Sequence, residues 1–185
     1  WFPGAMYHVI CRGNKQAAIY LDRKDHLEYL TLVEDSKELY HFSLHAYCLM
    51  VNHVHLLIET HKIPLSDIMK FINTKYAIYF NKRYDKNGHV FQGRYRADMI
   101  VDRSYFLNAN RYIHLNPLEA KIVSKLEDYP WSSYSSFISS QPNPLITSEK
   151  ILSQFQEPQL ENYLSFLFAP NPKKEETLWH TLYME

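Results

Sequence analysis

Two histidines separated by one residue, His53-Val54-His55, are the sharpest chemical feature of this sequence of 185 residues. On a β-strand alternate side chains point the same way, so both imidazoles can bind one cation together. Two ligands do not complete a site. The chain holds 10 histidines, so a chance pair on a solvent-facing strand is the competing explanation. A second cluster, Arg111-Tyr112-Ile113-His114-Leu115-Asn116-Pro117, falls at the end of a predicted helix. Tyr112 and Asn116 are four residues apart and share a helix face if the last turn holds. One phenol and one amide oxygen there could supply a nucleophile and a third ligand beside the histidines. With 15 tyrosines in the chain, periodicity does not choose among them. His114, two residues from Tyr112, points to another face of the helix, which makes it a weak candidate for a general base.

The elements that must position these residues are readable from pattern. Residues 5–11 are rich in strand formers and end at the turn signal Arg12-Gly13-Asn14. Asp22 is a good N-cap for an amphipathic helix reaching about Tyr40. Residues 42–50 and 53–59 read as strands joined by a tight Val51-Asn52 connection. The alternation puts His53, His55, Leu57 and Glu59 on one face of the second of these. Pro64 opens a long helix that should end near Asn87-Gly88, and 89–101 read as extended. Asp102 caps a further helix, which Pro117 is expected to terminate. The order strand, helix, strand, strand, helix, strand, helix predicts an α+β fold: a ferredoxin-like βαββαβ sandwich with an antiparallel sheet, helices on one face and an added helix carrying Tyr112. Residues 138–146 have linker composition, and a small helical C-terminal appendage separate from the core should follow. Pro170, Pro172 and Lys173-Lys174-Glu175-Glu176 suggest another flexible joint.

Composition sets the outer bounds. The length suits one domain with an appendage. No stretch reaches the roughly 18 uncharged apolar residues of a membrane span, and no charged-then-apolar leader precedes Pro3-Gly4. Cys11 and Cys48 lie far apart in apolar runs, as reduced core residues of a cytoplasmic protein would. The formal net charge is zero, which argues against an obvious polyanion partner. That average conceals a gradient, because residues 70–103 carry eight basic side chains against three acidic ones. This segment is a candidate polyanion face, with a solvated helix face as the alternative.

Six ordered blocks single out Tyr112 among the tyrosines: Trp1 to Val9, Arg12-Gly13-Asn14, Met50 to Leu57, Gly93-Arg94-Tyr95, Arg111 to Pro117, and Trp131-Ser132-Ser133-Tyr134. Together they resemble REP-associated tyrosine transposases of the single-tyrosine HUH superfamily, relatives of the small insertion-sequence transposases. The match runs over residues 1–137, leaving 138–185 as the extension. The resemblance implies that His53 and His55 are metal ligands, Tyr112 the nucleophile and Asn116 a third ligand, where related transposases can have Gln. It implies nicking and rejoining of single-stranded DNA through a 5′-phosphotyrosine, on hairpins of repetitive extragenic DNA. It leaves monomer and homodimer both open. The chemistry fits, because phosphodiesters are anionic, poor electrophiles and a divalent ion offsets the charge. Imidazole ligands favour Mn²⁺, while cellular abundance favours Mg²⁺. Arg12, Asn14, Arg94 and Arg96 are candidates for phosphate or base contacts, and Lys82, Arg83 and Lys86 for a basic rim. Phe91 and Tyr95 could stack unpaired bases or belong to the core.

Two rival readings remain at this level. A non-catalytic single-stranded nucleic-acid-binding module would use the same sheet without a metal. A metal hydrolase would activate water at the His pair, with Glu59 as acid or base, and would form no covalent adduct.

Overall fold

The strand formers Met6–Arg12 make β1, the first element of a computed structural model that describes residues 1–139 and 143–170. A reciprocal cap starts α1 (Arg23–Tyr40): the Asp22 carboxylate accepts from the Lys24 and Asp25 backbone N–H groups, and the Asp25 carboxylate accepts from that of Asp22. β2 (Ser43–Met50) and β3 (His53–Glu59) follow, joined by Val51-Asn52 as the sequence predicts. α2 (Leu65–Arg83) begins after Pro64 but stops short of Asn87-Gly88. Of the extended run expected over 89–101, only Arg96–Met99 forms a ladder strand, β4; Phe91 adds an isolated bridge to Gly13.

α3 (Arg103–Glu119) is capped as expected, the Asp102 carboxylate accepting from the Tyr105 N–H at 2.7 Å. Pro117 does not end it. A proline this close to a helix C-terminus forfeits only the hydrogen bond to the Ile113 carbonyl. The Ala120 and Ile122 N–H groups then satisfy the Asn116 and Pro117 carbonyls, both at 2.9 Å. Asn116 therefore stays helical, one turn beyond Tyr112.

The four strands form one antiparallel sheet in the order β2-β3-β1-β4, the βαββαβ arrangement read from the sequence. α1 and α2 share one face and meet through Tyr29 and Tyr76, whose rings lie 5.1 Å apart. The added helix α3 takes the other face, with Phe106 packed on His45 of β2. Helices thus cover both faces, and α3 lies over the histidine side.

The C-terminal segment is not separate from the core. After α4 (Ser135–Ile138), α5 (Glu149–Leu152) and α6 (Gln159–Phe168) contribute Ile151, Tyr163 and Leu167 to the same buried apolar cluster as the sheet. Just past the run expected to be a linker, the Thr147 N–H bonds the Leu44 carbonyl at 2.8 Å, so the chain there lies against β2. Burying these side chains against the sheet outweighs the local turn composition. Residues 140–142, and the joint expected over 172–176, lie outside the described residues. Cys11 and Cys48 are buried free thiols. No helix among the described residues is long and apolar enough to cross a membrane.

Candidate active site

Register fixes which side chains share the face beneath α3. Across the β1–β3 ladder His53 lies opposite Arg12, His55 opposite Ile10 and Leu57 opposite His8. Opposed residues in an antiparallel pair project to the same side, so His8, Arg12, His53 and His55 all face α3. On β4, Arg96 lies opposite Ile10 and Asp98 opposite His8, which adds both to this face.

The loop after β1 holds the β2–β3 turn. The Gly13 N–H bonds the Asn52 carbonyl at 2.7 Å, and the Asn52 side-chain amide donates to the Gln16 carbonyl at 3.2 Å. Gly13 is required by close approach: a Cβ there would sit 2.0 Å from the Ala17 carbonyl oxygen. With Asn52 held in this way, its side-chain oxygen lies 2.7 Å from His53 Nδ1. That contact selects the tautomer with the proton on Nδ1 and leaves Nε2 a lone pair.

Tyr112 comes down from α3 onto the histidines. Its ring is 5.3 Å from that of His55 and 5.8 Å from that of His8, while the rings of His53 and His55 are 4.9 Å apart. The Asn116 side-chain amide donates to the Tyr112 backbone carbonyl at 3.2 Å and lies near enough to the His53 imidazole and the Tyr112 phenol to influence the protonation of both. Burial pushes the phenol above its ordinary pKa of 10.0, and the Asn116 amide and the nearby Arg12 charge pull it back. Burial, helped by Arg12, lowers His53 to about 4, and burial with the neighbouring His53 and His8 holds His55 well below 6.5, so both imidazoles are neutral at pH 7.

His8 was not singled out from the sequence. Its Nε2 lies 3.0 Å from His55 Nδ1, and burial lowers its pKa to about 4. The clue was strand parity, since His8 and Arg12 are an even number of residues apart on β1. This contact occupies one nitrogen of His55. The other, Nε2, is buried and has no hydrogen-bond partner among the described residues. An imidazole oriented through one nitrogen and open at the other suits a metal ligand. Among the described residues no group of three or more His, Cys, Asp or Glu side chains is arranged to hold a metal. The donors that could hold a cation here are His53, His55 and the Asn116 amide, a nitrogen and oxygen set compatible with Mg²⁺ or Mn²⁺.

The family model described as "Transposase IS200 like" matches residues 2–116, a span that ends on Asn116. The chain belongs to the IS200-like transposase family. Among its relatives is a Haemophilus influenzae protein named as a REP-associated tyrosine transposase, 25% identical over 132 residues, which cover 63% of this chain and 73% of the relative. A solved REP-associated tyrosine transposase bound to a REP hairpin has the same fold, with a TM-score of 0.63 at 16% identity, covering 78% of this chain and 85% of the other.

Within this transposase the remaining candidates divide by position. Arg12 and Arg96 lie on the α3 side, Arg96 paired with Asp98 at 3.4 Å. Arg94 is exposed just before β4. Asn14 lies beyond the end of β1, its N–H bonded to the Val90 carbonyl at 2.8 Å. Lys82 and Arg83 are not brought to the site, because α2 packs on the opposite face. Arg83 is engaged there by Asp22, Asp25 and Tyr79. Phe91 is buried and Tyr95 half-buried, both packed on the core.

Glu59 sits at the far end of β3 from His53. It is bound by His45 at 2.9 Å and Lys150 at 2.7 Å, which hold its pKa down at about 2. A carboxylate so committed is a poor acid or base at neutral pH, which removes the residue that the hydrolase reading needed. His114 is fully buried between Tyr163 and Ser133, so it is no base for Tyr112.

Proposed function

We propose that this transposase nicks and rejoins single-stranded DNA, with Tyr112 as the nucleophile and a 5′-phosphotyrosine as the intermediate. The observation that carries the reading is the seating of Tyr112 against His55, with His53 beside it and Asn116 one helical turn beyond. The solved relative is bound to a REP hairpin, which supports hairpin-forming repetitive DNA as the substrate here. Residues 1–137 form the catalytic unit and 138–185 its C-terminal extension, of which Ile151, Tyr163 and Leu167 join the core.

The phenolic oxygen forms a bond to phosphorus while the bond from phosphorus to the 3′ oxygen breaks. The phenol gives up its proton, and the departing 3′ oxygen gains one to become a hydroxyl. An incoming 3′-hydroxyl reverses the exchange, so a phosphodiester is restored without external energy. His53, His55 and Asn116 would hold a divalent cation, Mg²⁺ or Mn²⁺, which when bound supplies positive charge against the phosphodiester oxygens. Arg12 adds a fixed positive charge on the same side and favours the phenolate form of Tyr112. His8 keeps the His55 ring turned so that Nε2 faces away from β1. α3 presents the phenol from above the sheet, so attack needs no rearrangement of the strands.

The test incubates the protein with a labelled single-stranded hairpin and Mn²⁺ and reads a denaturing gel. A protein–DNA adduct that is lost with Tyr112→Phe and with EDTA is the expected result. Tight binding without adduct or cleavage across several hairpins would establish a binding module instead. Cleavage that survives Tyr112→Phe would mean that water is the nucleophile.

A further inference from the structure

The nucleophile's helix is held from behind by a hydrogen-bond chain that the reaction itself does not use. Asn110 and His114 lie two residues either side of Tyr112, so both occupy the helix face opposite the phenol. Both are fully buried polar residues, and one side chain of α6 joins them. The Tyr163 hydroxyl donates to Asn110 Oδ1 at 3.0 Å and lies 2.7 Å from His114 Nδ1. On the other side of that ring His114 Nε2 lies 2.8 Å from Ser133 Oγ, which in turn accepts from the Tyr47 N–H of β2 at 2.9 Å.

Proton counting gives this chain one direction. A hydroxyl has a single proton, so if Tyr163 donates to Asn110 it must accept from His114 Nδ1–H. His114 Nε2 is then an acceptor for the Ser133 hydroxyl, whose one proton also has the Tyr47 carbonyl as an acceptor at 3.2 Å. The links run from the backbone of β2 through Ser133, His114 and Tyr163 to Asn110. The chain fixes both the rotation of α3 about its axis and its height above the sheet, the two coordinates that aim Tyr112 at His55. A second contact acts beside it: Arg111 donates to the Ala169 carbonyl, and its guanidinium lies 5.4 Å from the Phe166 ring.

We infer that Tyr163 is a positioning residue for the transesterification, through which the C-terminal segment holds α3 so that Tyr112 faces the histidines. The inference rests on Tyr112 being the nucleophile. It assigns residues 143–170 a part in the chemistry although none of them touches the reacting atoms. Tyr163 also stacks on Phe137 at 5.1 Å, and a phenylalanine would keep that stacking while removing only the hydroxyl.

The decisive variant is Tyr163→Phe in the full chain, compared with Leu167→Ala, which opens a cavity in the same helix without touching the hydrogen-bond chain. Three readouts are taken: the single-turnover rate of adduct formation at saturating hairpin with Mn²⁺, the hairpin Kd, and amide hydrogen exchange along residues 107–117. Tyr163→Phe is expected to slow adduct formation by about tenfold or more, leave Kd unchanged and raise exchange in α3 but not in α1. Leu167→Ala is expected to keep the wild-type rate even where its melting temperature is the lower of the two. A Tyr163→Phe protein with wild-type rate and wild-type exchange in α3 overturns the inference, as does an equal loss of rate in Leu167→Ala. If wild-type protein forms no adduct, the nucleophile assignment fails instead. Exchange in α3 still decides, without activity, whether Tyr163 holds that helix.

Discussion

The two faces of the sheet each carry a buried polar cluster, and they are finished differently. Behind the sheet, the fully buried Asp25 has every acceptor site filled: Arg83 and Tyr79 donate to one carboxylate oxygen, and Tyr84 with the Leu21 and Asp22 N–H groups to the other. Beneath α3, His55 is just as buried, yet it has one nitrogen held by His8 and the other without a partner among the described residues. A buried polar group without a partner costs about 1–3 kcal/mol. Unpartnered buried atoms occur behind the sheet too, on Tyr20, Tyr29, Ser36 and Asn73, and what sets His55 apart is an open ring nitrogen beside His53 and Tyr112. The comparison also separates arginines that composition alone groups together. Arg83 closes the finished cluster, whereas Arg12 lends its charge to the open one.

The largest effect that would break this contrast is chemical. Tyr112→Phe removes the phenolic oxygen and should abolish the covalent adduct while leaving the fold intact, since the ring still packs on His55. Circular dichroism and the denaturing gel together check this. A residual adduct would place the nucleophile elsewhere.

Removing the carboxylate at the finished cluster should do the opposite. Asp25→Ala leaves Arg83, Tyr79 and Tyr84 without their shared acceptor and opens the α1 cap. A loss on the order of 3 kcal/mol in urea unfolding is expected. The adduct rate of the remaining folded protein should match wild type, because the cluster lies across the sheet from Tyr112. A matching loss of rate would mean that the two faces are coupled.

At the open cluster a conservative change sharpens the picture. His8→Phe keeps an aromatic ring under Tyr112 but removes the contact that orients His55. Mn²⁺ affinity, read by calorimetry, should fall by about tenfold, with a modest fall in melting temperature because the buried His55 Nδ1 loses its partner. Unchanged affinity would show that His55 is oriented by packing alone.

Much of this arrangement was legible in the residues, for reasons that differ by element. The His53/His55 side of β3 followed from strand periodicity, and the starts of α1 and α3 from the capping chemistry of Asp22 and Asp102. β4 was blurred because Arg96-Ala97-Asp98-Met99 is an edge strand with charges on its inner face, so no apolar alternation marks it within 89–101. Pro117 was misjudged because the cost of a helical proline depends on how many hydrogen bonds lie beyond it, which sequence alone does not show. His8 and Tyr163 were invisible for a shared reason: each acts through a partner 47 or 49 residues away. Only the register of β1 on β3, and the docking of α6 on α3, brings such pairs together. The family's blocks located Tyr112 and Asn116, but no local pattern revealed what holds them.

The smallest effect tests a third polar group, one that joins the C-terminal segment to the sheet. Glu59 is bound by His45 of β2 and Lys150 of α5, which lower its pKa from 4.5 to about 2. A carboxylate that is more acidic in the folded state stabilises the fold above its unfolded pKa and loses that contribution as pH falls through the folded value. The loss should therefore run from about pH 4.5 down to about 2. Lys150 is partly exposed, so solvent screening holds the contribution to about 1 kcal/mol. Glu59→Gln should flatten that part of the curve of unfolding free energy against pH and leave the region above pH 6 parallel to wild type. If the curve keeps its slope in the variant, the acid sensitivity belongs to the buried histidines, whose loss of stability on protonation would begin higher, near their unfolded value of 6.5. The pH at which the slope begins thus distinguishes the tether of the C-terminal segment from the imidazoles around Tyr112.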